Sequence, residues 1–299
     1  MRLFLTGATG FIGSRIAEEL QQKGHQIVGL ARSQESAGRL RAAGIEIQPG
    51  TLDDPDTLLP AVDNVDAVIH TAFDHDFSRF AANCEKDRRV ILALSRALAG
   101  SQRPLIITSG TGMGDPENGQ PATEAIFNPA HPNPRIASEL AANAALEKGI
   151  DVRIVRLPQV HDTRRQGLIS YYIQLCREKG SVAWIEEGAN CWSAAHVDDV
   201  ARLYCAVLER GASGERYHAV AEEAISSRAI GETVAAGMQL PTRALTEEQA
   251  GDYFGWFAAF ARLDLRASGA WTQKRLAWQP RRPGLLDDLK AMNYREPGR

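Results

Sequence analysis

The sequence predicts an α/β fold with a doubly wound parallel sheet and a smaller C-terminal lobe. In the first half of the 299-residue chain, short apolar segments alternate with helical patterns, which is typical of βαβ units. A glycine triplet, Gly7-x-x-Gly10-x-x-Gly13, lies between the first apolar segment and the first helical pattern. After Pro158 the alternation stops. Together these observations predict a Rossmann-type sheet followed by a substrate-binding lobe.

Each element of the first half has a local signal. The predicted strands are short apolar runs at 3–5, 26–30, 45–47, 67–69, 105–107 and 152–157. A helical pattern over 13–23 ends at Gly24, a natural C-terminal stop. A long helix is predicted over about 77–99, and Asn133-Pro134 predicts the N-cap and first turn of an Ala-rich helix reaching about 148. Residues 110–134, rich in Gly, Pro and Asn, predict a loop.

This pattern predicts two units. Residues 1–160 form the dinucleotide-binding domain, and a helical segment at 196–212 returns to it. Residues 161–195 and 213–299 form the substrate-binding lobe. Aromatic residues concentrated at 253–260 are expected to belong mainly to the core of that lobe.

Composition and charge exclude several classes of protein. The net charge is −3 with no basic stripe, so we expect no nucleic-acid partner. No apolar run is long enough to predict a membrane span, and the first apolar stretch is interrupted by Gly7, so we expect neither a membrane partner nor a secretory signal. The four cysteines are scattered without metal-site or redox spacing. We therefore expect a cytoplasmic protein without a metal site that acts on a small-molecule substrate.

The glycine triplet has the context that a phosphate-binding turn requires. One glycine permits the tight turn, one lets the backbone approach a pyrophosphate, and one lets helix and strand pack closely. The N-terminus of the following helix offers free N–H groups and the positive end of its dipole. The sequence therefore predicts a dinucleotide site at Thr6-Gly7-Ala8-Thr9-Gly10-Phe11-Ile12-Gly13.

The end of the second strand favours NADP over NAD. NAD sites usually carry an acidic residue there for the ribose 2′-hydroxyl, whereas this chain has Ala31 followed by Arg32 and Ser33. An arginine accommodates a 2′-phosphate through charge-assisted hydrogen bonds. The alternative is that Arg32 is an ordinary solvated surface charge.

The chain resembles the extended short-chain dehydrogenases/reductases, a family that is epimerase/dehydratase-like, over nearly its whole length. The segments that carry the resemblance are the glycine triplet, Asp66-Ala67-Val68-Ile69-His70, Asn83, Thr108-Ser109, Ser138-Glu139, Val155-Arg156-Leu157-Pro158, His196-Val197-Asp198-Asp199-Val200 and Leu276-Ala277-Trp278-Gln279-Pro280. An atypical subgroup of the family with MupV-like oxidoreductases is similar in two further segments, Phe73-Asp74-His75-Asp76-Phe77 and Tyr253-Phe254-Gly255-Trp256.

The resemblance implies a set of cofactor-binding residues and an oligomeric state. The implied cofactor-binding residues are Thr6, Gly7, Thr9, Gly10, Phe11, Ile12, Gly13, Arg32, Ser33, His70, Thr71, Ala72, Arg135 and Pro158. The helices at about 77–99 and 133–148 correspond to those that pair across the family's dimer interface, so the resemblance implies a homodimer. It also implies that His161 and Asp162 line the nicotinamide and substrate pocket, where Arg164 and Arg165 could meet an anionic substrate.

The family's catalytic Tyr-x-x-x-Lys pair is missing, because no tyrosine here has a lysine four residues later. Counting back from Glu139 places Arg135 where the lysine belongs and His131 where the tyrosine belongs. Arg135 could hold ribose hydroxyls as a fixed cation, and His131 could donate a proton near neutral pH. Ser109, after the fifth strand, could polarise a substrate carbonyl. Each has a plainer alternative: a helix-surface arginine, a loop histidine and a turn serine.

Three functions remain open at this point. The first is an NADP-dependent oxidoreductase of atypical mechanism that transfers a hydride to or from a carbonyl, alcohol or imine. Its proton would come from His131, from Tyr171 or Tyr172, or from water. The second is an NADP-binding regulator or sensor without turnover. The third is sugar-nucleotide epimerisation or dehydration, and the absent tyrosine disfavours both.

Overall fold

The computed structural model describes residues 1–295. Its strands are β1 (Arg2–Thr6), β2 (Gln26–Ala31), β3 (Glu46–Pro49), β4 (Ala67–His70), β5 (Leu105–Gly110), β6 (Val152–Leu157), β7 (Gln159–His161), β8 (Val182–Ile185), β9 (Cys191–His196), β10 (Arg216–His218), β11 (Glu222–Ser226) and β12 (Thr242–Leu245). Its helices are α1 (Phe11–Gln22), α2 (Gln34–Ala42), α3 (Leu59–Val62), α4 (Phe80–Ala97), α5 (Ile136–Leu146), α6 (Leu168–Lys179), α7 (Val197–Arg210), α8 (Ser227–Met238), α9 (Glu247–Phe254), α10 (Ala258–Ala261), α11 (Ala270–Leu276) and α12 (Leu285–Ala291).

A parallel sheet in the order β10-β6-β5-β4-β1-β2-β3 forms the centre of the molecule. The chain runs outward from β1 to β3, then crosses to β4 and continues outward on the other side. Such a reversal of strand order opens a crevice at the carboxyl ends of the strands, here those of β1 and β4. The predicted doubly wound sheet is confirmed.

Alternating side chains of the strands bury both faces of this sheet. Leu3 and Leu5 of β1 point into a core shared with α1 and α7, whereas Phe4 points into a core shared with α4 and α5. Helices therefore cover the sheet on both sides, as parallel strands that are apolar throughout require.

A smaller lobe follows β6. It contains a three-stranded sheet, β11-β9-β7, and the pair β12-β8, with α6, α8, α9 and α12 around a core of their own. Tyr253, Phe254 and Phe257 are buried in that core, but Trp256 is 53% exposed. The aromatic segment at 253–260 is thus only partly core.

Several boundaries differ from the sequence expectation. The edge strand β10 lies in the central sheet although the sequence places 213–299 in the lobe. Helix α7 packs against α1, on the side of the dinucleotide-binding domain where the sequence places 196–212. The expected helix over 77–99 begins as a 3₁₀ turn, Phe77–Arg79, before α4. The helix expected from Asn133-Pro134 begins at Ile136, because the Asn133 side chain accepts a hydrogen bond from the Arg135 N–H in a separate turn.

Candidate functional site

The glycine turn between β1 and α1 leaves room for an anionic group against the backbone. Gly7 has φ +76°, and a Cβ on Gly13 would overlap the carbonyl oxygen of Gly7. Gly10 precedes α1 and no side chain caps the helix there. The N–H groups of the first turn are therefore available to a pyrophosphate, which fits a dinucleotide.

Thr6 and His70 join the ends of β1 and β4 beneath this turn. Thr6 Oγ1 hydrogen-bonds to His70 Nδ1 at 2.7 Å and accepts the N–H groups of Thr71 and Ala72, each at 3.2 Å. Both Thr6 and His70 are buried, whereas Thr71 and Ala72 line the cleft above them. Thr6 and His70 thus hold Thr71 and Ala72 in position at the cleft without lining it themselves.

A cleft of about 880 Å³ extends from the glycine turn to the lobe. It is lined by most of the residues that the sequence assigns to the site: Gly7, Thr9, Gly10, Phe11, Ile12, Gly13, Arg32, Ser33, Thr71, Ala72, Ser109, Arg135 and Pro158. The structure therefore brings together residues from the ends of five parallel strands and from the start of α5.

Arg32 lines the cleft just after β2, and its side chain is exposed. A second arginine, Arg39 of α2, lines the same part of the cleft and was missed in the sequence because no motif marks it. Ser33 caps α2 reciprocally with Ser36. Nearby, Lys86 forms ion pairs with Asp53 at 2.8 Å and Asp74 at 3.0 Å, which lowers the pKa of both carboxyls.

The guanidinium of Arg135 lies in the cleft wall, fixed by three hydrogen bonds. It donates to Asp87 at 2.7 Å, to Ser138 Oγ at 2.9 Å and to the carbonyl of Thr108 at 2.8 Å. Its carbon also lies 4.2 Å above the centre of the Phe73 ring. These bonds use three of the five N–H donors of an arginine, so two remain for a ligand.

Asp87 of α4 is the anion that holds Arg135. It also hydrogen-bonds to His70 Nε2 at 2.9 Å and accepts from Ser138 Oγ at 2.5 Å. Burial opposes its ionisation, but Arg135 and these hydrogen bonds outweigh burial and lower the Asp87 pKa to about 2. A charged network thus runs from Thr6 beneath the glycine turn to Arg135 in the wall.

Ser109 lies in the cleft, but its hydroxyl donates to Glu139 Oε1 at 2.8 Å. Glu139 is fully buried and accepts from Arg156 Nε at 2.7 Å and Arg216 Nε at 2.9 Å. Burial disfavours its charge, yet the two arginines lower the Glu139 pKa. To polarise a carbonyl, the Ser109 hydroxyl must therefore turn away from Glu139.

The other sequence candidates separate into those inside and those outside the cleft. Tyr171 of α6 lines the cleft, whereas Tyr172 donates to the carbonyl of Ala183 inside the lobe core. His131 is not among the residues lining the cleft in the described chain, and its Nδ1 accepts the N–H of Asn133. His161 is buried with its Nδ1 2.7 Å from Asp288 Oδ2 of α12. Pro129 and Pro134 flank residues 131–133 and set the course of the turn that contains His131. Counting back from Glu139 along the sequence did not account for this turn.

Within residues 1–295 no group of three or more His, Cys, Asp or Glu side chains could hold a metal ion. Nor does any helix in that part of the chain combine the length and apolarity needed to cross a bilayer.

Comparison with known proteins agrees with this geometry. The chain is 41% identical over 295 residues to an uncharacterized protein of Schizosaccharomyces pombe, covering 98% of this chain and 100% of the relative. It is 26% identical over 232 residues to 4-hydroxy-2-methyl-3-oxo-4-farnesyl-3,4-dihydroquinoline-1-oxide ketoreductase of Stigmatella aurantiaca, covering 73% and 67% of the two chains. The sequence relatives thus include a reductase.

A solved structure shows the same fold. It is a double mutant of DesIV, a dTDP-glucose 4,6-dehydratase from Streptomyces venezuelae, with NAD bound. The TM-score is 0.77 at 21% sequence identity, over 99% of this chain and 96% of that one.

The family model described as the NAD dependent epimerase/dehydratase family matches residues 3–220, which include the glycine turn, Ser109, Arg135 and the whole central sheet. The match confirms the resemblance drawn from the sequence motifs, while the MupV-like subgroup stays a prediction. The chain belongs to the NAD dependent epimerase/dehydratase family.

Proposed function

We propose that the protein is an NADP-dependent oxidoreductase of the cytoplasm that acts as a homodimer on a small-molecule carbonyl, alcohol or imine. One observation carries the proposal. A single cleft leads from the glycine turn to Ser109 and Arg135, and from there to a lobe wall with space for a substrate. A ketoreductase and a sterol-4-alpha-carboxylate 3-dehydrogenase among the sequence relatives support this reaction class.

When bound, the dinucleotide supplies or accepts the hydride. In the reducing direction, the carbonyl carbon of the substrate gains the hydride and its oxygen gains a proton, giving an alcohol and the oxidised cofactor. The protein must position that carbonyl, exclude water and deliver the proton.

We assign roles to three side chains in this scheme. Arg135 offers its two remaining N–H donors to the nicotinamide ribose from a fixed position in the wall. Ser109 turns from Glu139 to donate to the substrate oxygen. The proton comes from Tyr171, which lines the cleft, or from water. His131 fits the proton-donor role less well because it lies outside the lining.

NADP preference follows from the two arginines beside the end of β2. No acidic side chain follows Ala31 directly, and Arg32 and Arg39 both line the cleft there. Two guanidinium groups favour the extra phosphate of NADP over a bare ribose hydroxyl.

The test is to titrate NADPH and NADH against the wild type, Arg32→Ala and Arg39→Ala. Arg41→Ala is the matched control, because Arg41 is an exposed arginine of α2, like Arg39, but does not line the cleft. Losing a charge-assisted hydrogen bond is expected to weaken NADPH binding about tenfold or more and to leave NADH binding unchanged. Equal wild-type affinities for the two cofactors would refute the NADP assignment.

An NADP-binding regulator without turnover is the second candidate. The specific observation in its favour is that Ser109 and Arg135 are both hydrogen-bonded inside the protein, in a chain without Tyr-x-x-x-Lys. Tight NADPH binding with no oxidation of NADPH by any carbonyl compound would support it over the oxidoreductase.

A further inference from the structure

We propose that the lobe end of the cleft binds an uncharged carbonyl compound carrying an aromatic or fused ring; this inference rests on the proposed oxidoreductase function. It is based on a group of rings at the cleft mouth, called here the aromatic cluster. The cluster consists of Phe73, Phe77, Phe80, Tyr171, Trp256 and Phe260.

Phe77 is the centre of the aromatic cluster. Its ring stacks on Trp256 with 5.5 Å between centroids and 11° between planes. The edges of Tyr171 and Phe260 meet it at 5.5 Å and 5.4 Å. These separations are in the range in which aromatic rings attract one another.

The cluster joins the two parts of the molecule across the cleft. Phe73, Phe77 and Phe80 follow β4 of the central sheet, whereas Tyr171, Trp256 and Phe260 belong to the lobe. All except Trp256 line the cleft. Tyr171, which lines the cleft, remains 37% exposed, so the cluster is not a sealed core and offers ring surface to a ligand.

Apolar side chains form much of the surrounding wall as well. At the lobe end of the cleft they are Met113, Leu168, Trp192, Leu263 and Leu265, and the polar Gln159, Ser170 and Ser193 lie among them. A flat apolar molecule entering here would bury its surface against rings and aliphatic side chains, which is favourable in proportion to the area removed from water.

Apart from Arg32 and Arg39 at the cofactor end, the cations that line the cleft do not favour an anionic substrate. Lys86 is held between Asp53 and Asp74, and Arg135 by Asp87. Arg165, on the lobe side, has a partner of its own. A nucleoside diphosphate would lose its hydration at this end without a cation reserved for it, which is costly. The charge distribution therefore favours a neutral ligand.

The experiment measures NADPH oxidation with glyceraldehyde, benzaldehyde, 2-naphthaldehyde and 4-carboxybenzaldehyde. The first three contain no ring, one ring and two fused rings, respectively. The last adds one negative charge to the benzaldehyde ring. We expect kcat/KM to rise about tenfold or more from benzaldehyde to 2-naphthaldehyde and to fall by a similar factor for the carboxylate. No dependence on ring size, or preference for the charged compound, would overturn the proposal.

Two variants of the aromatic cluster test whether its rings cause the preference for 2-naphthaldehyde. Phe77→Ala and Phe260→Ala are each expected to raise KM for 2-naphthaldehyde about tenfold, with unchanged NADPH affinity as evidence of intact folding. Trp271→Ala is the control, because Trp271 is an exposed ring packed on Tyr217 outside the cleft. Unchanged KM in both cluster variants would overturn the assignment.

A binding measurement distinguishes a failure of this proposal from a failure of the proposed oxidoreductase function. Calorimetry of 2-naphthylmethanol, a neutral alcohol, with the NADPH-loaded protein involves no turnover, because the alcohol cannot accept a hydride from the reduced cofactor. Binding that Phe77→Ala abolishes, in a protein that oxidises no NADPH, would support the ring-binding site and refute the oxidoreductase. Absence of binding in the wild type would refute the ring-binding site itself.

Discussion

At the scale of single residues, Asp87 connects the floor of the cofactor site to the cleft wall. It contacts His70, Ser138 and Arg135 while only 2% exposed. Because its pKa falls from 3.8 to about 2 on folding, its charge stabilises the folded state above pH 3.8, and this stabilisation is lost as the pH falls through 2.

We expect Asp87→Asn to reveal this contribution. The difference in free energy of unfolding between wild type and variant should shrink by about 2 kcal/mol between pH 5 and pH 2. Urea unfolding across that range measures it. Asp63→Asn, at an exposed carboxylate, is the control and should show a flat difference. A flat difference for Asp87→Asn as well would contradict the prediction.

Arg135 gives a second test at this scale. Arg135→Ala removes the main cation of a buried carboxylate, so we expect a loss of about 3 kcal/mol in the free energy of unfolding. If Arg135 also binds ribose, NADPH affinity should fall by about tenfold or more. Arg135→Lys keeps the charge but not the three-way hydrogen bonding, so we expect it to restore part of the stability and little of the affinity. NADPH binding at wild-type strength in Arg135→Ala would remove the ribose role.

Many residues of the site could be predicted from the sequence, but the side chains that hold them in place could not. The glycine turn, Arg32, Ser109 and Arg135 reach the cleft because each lies at the end of a strand or at the start of a helix whose position the sheet dictates. The partners of Ser109 and Arg135 are far away in sequence: Asp87 precedes Arg135 by 48 residues, and Arg216 follows Glu139 by 77. Only the tertiary fold brings such charges together.

At the scale of elements, α7 holds the C-terminal segment through one of its two first-turn carboxylates. Asp199 is fully buried and accepts the backbone N–H groups of Arg281 at 3.0 Å and Arg282 at 2.9 Å. Its backbone carbonyl accepts the indole N–H of Trp278. Asp198, beside it, is partly exposed and pairs with Arg282.

We expect these neighbouring carboxylates to differ sharply in their effect on stability. Asp199→Ala leaves the partly buried N–H groups of Arg281 and Arg282 without their acceptor and should lower the free energy of unfolding by about 2 kcal/mol. Asp198→Ala should cost less than about 1 kcal/mol, as for other exposed ion pairs. Denaturant titrations of both variants measure the contrast, and similar losses in the two would argue against a specific role of Asp199.

Elements with strong apolar periodicity could be predicted, and weakly patterned ones could not. Five of the six predicted strands of the first half occur within two residues of their expected bounds, and β5 continues three residues beyond its expected end at 107. Helix α2 was missed because only Ser36 and Leu40 of it are buried, which leaves too short an apolar stripe. The short strands of the lobe were missed because their pairing joins distant segments, such as β7 with β9 and β8 with β12.

At the scale of the whole molecule, α4 and α5 pack side by side on one face of the sheet. Their outer surface includes Leu92, Ala137, Ala144 and Leu140, the last 37% exposed. Small side chains allow a second helix pair to approach closely, so we expect two copies of the chain to associate here.

Light scattering at micromolar concentration should therefore give twice the chain mass of 32.6 kDa. Leu140→Glu would place a charge in that interface and should yield the monomer. Trp271→Glu alters an equally exposed apolar residue elsewhere and should leave the dimer intact. A monomeric wild type would exclude the homodimer.

The position of β10 at one edge of the central sheet has a consequence for folding during synthesis on the ribosome. Strands β1 to β6 emerge first, but the free edge of β6 stays open until Arg216–His218 have left the exit tunnel, after the first lobe segment and α7. Arg216 also brings the second guanidinium to Glu139 behind Ser109. A nascent chain that stops near residue 160 thus carries a complete glycine turn beside an unfinished sheet. Translation must pass through the first lobe segment and α7 before the nucleotide domain can close.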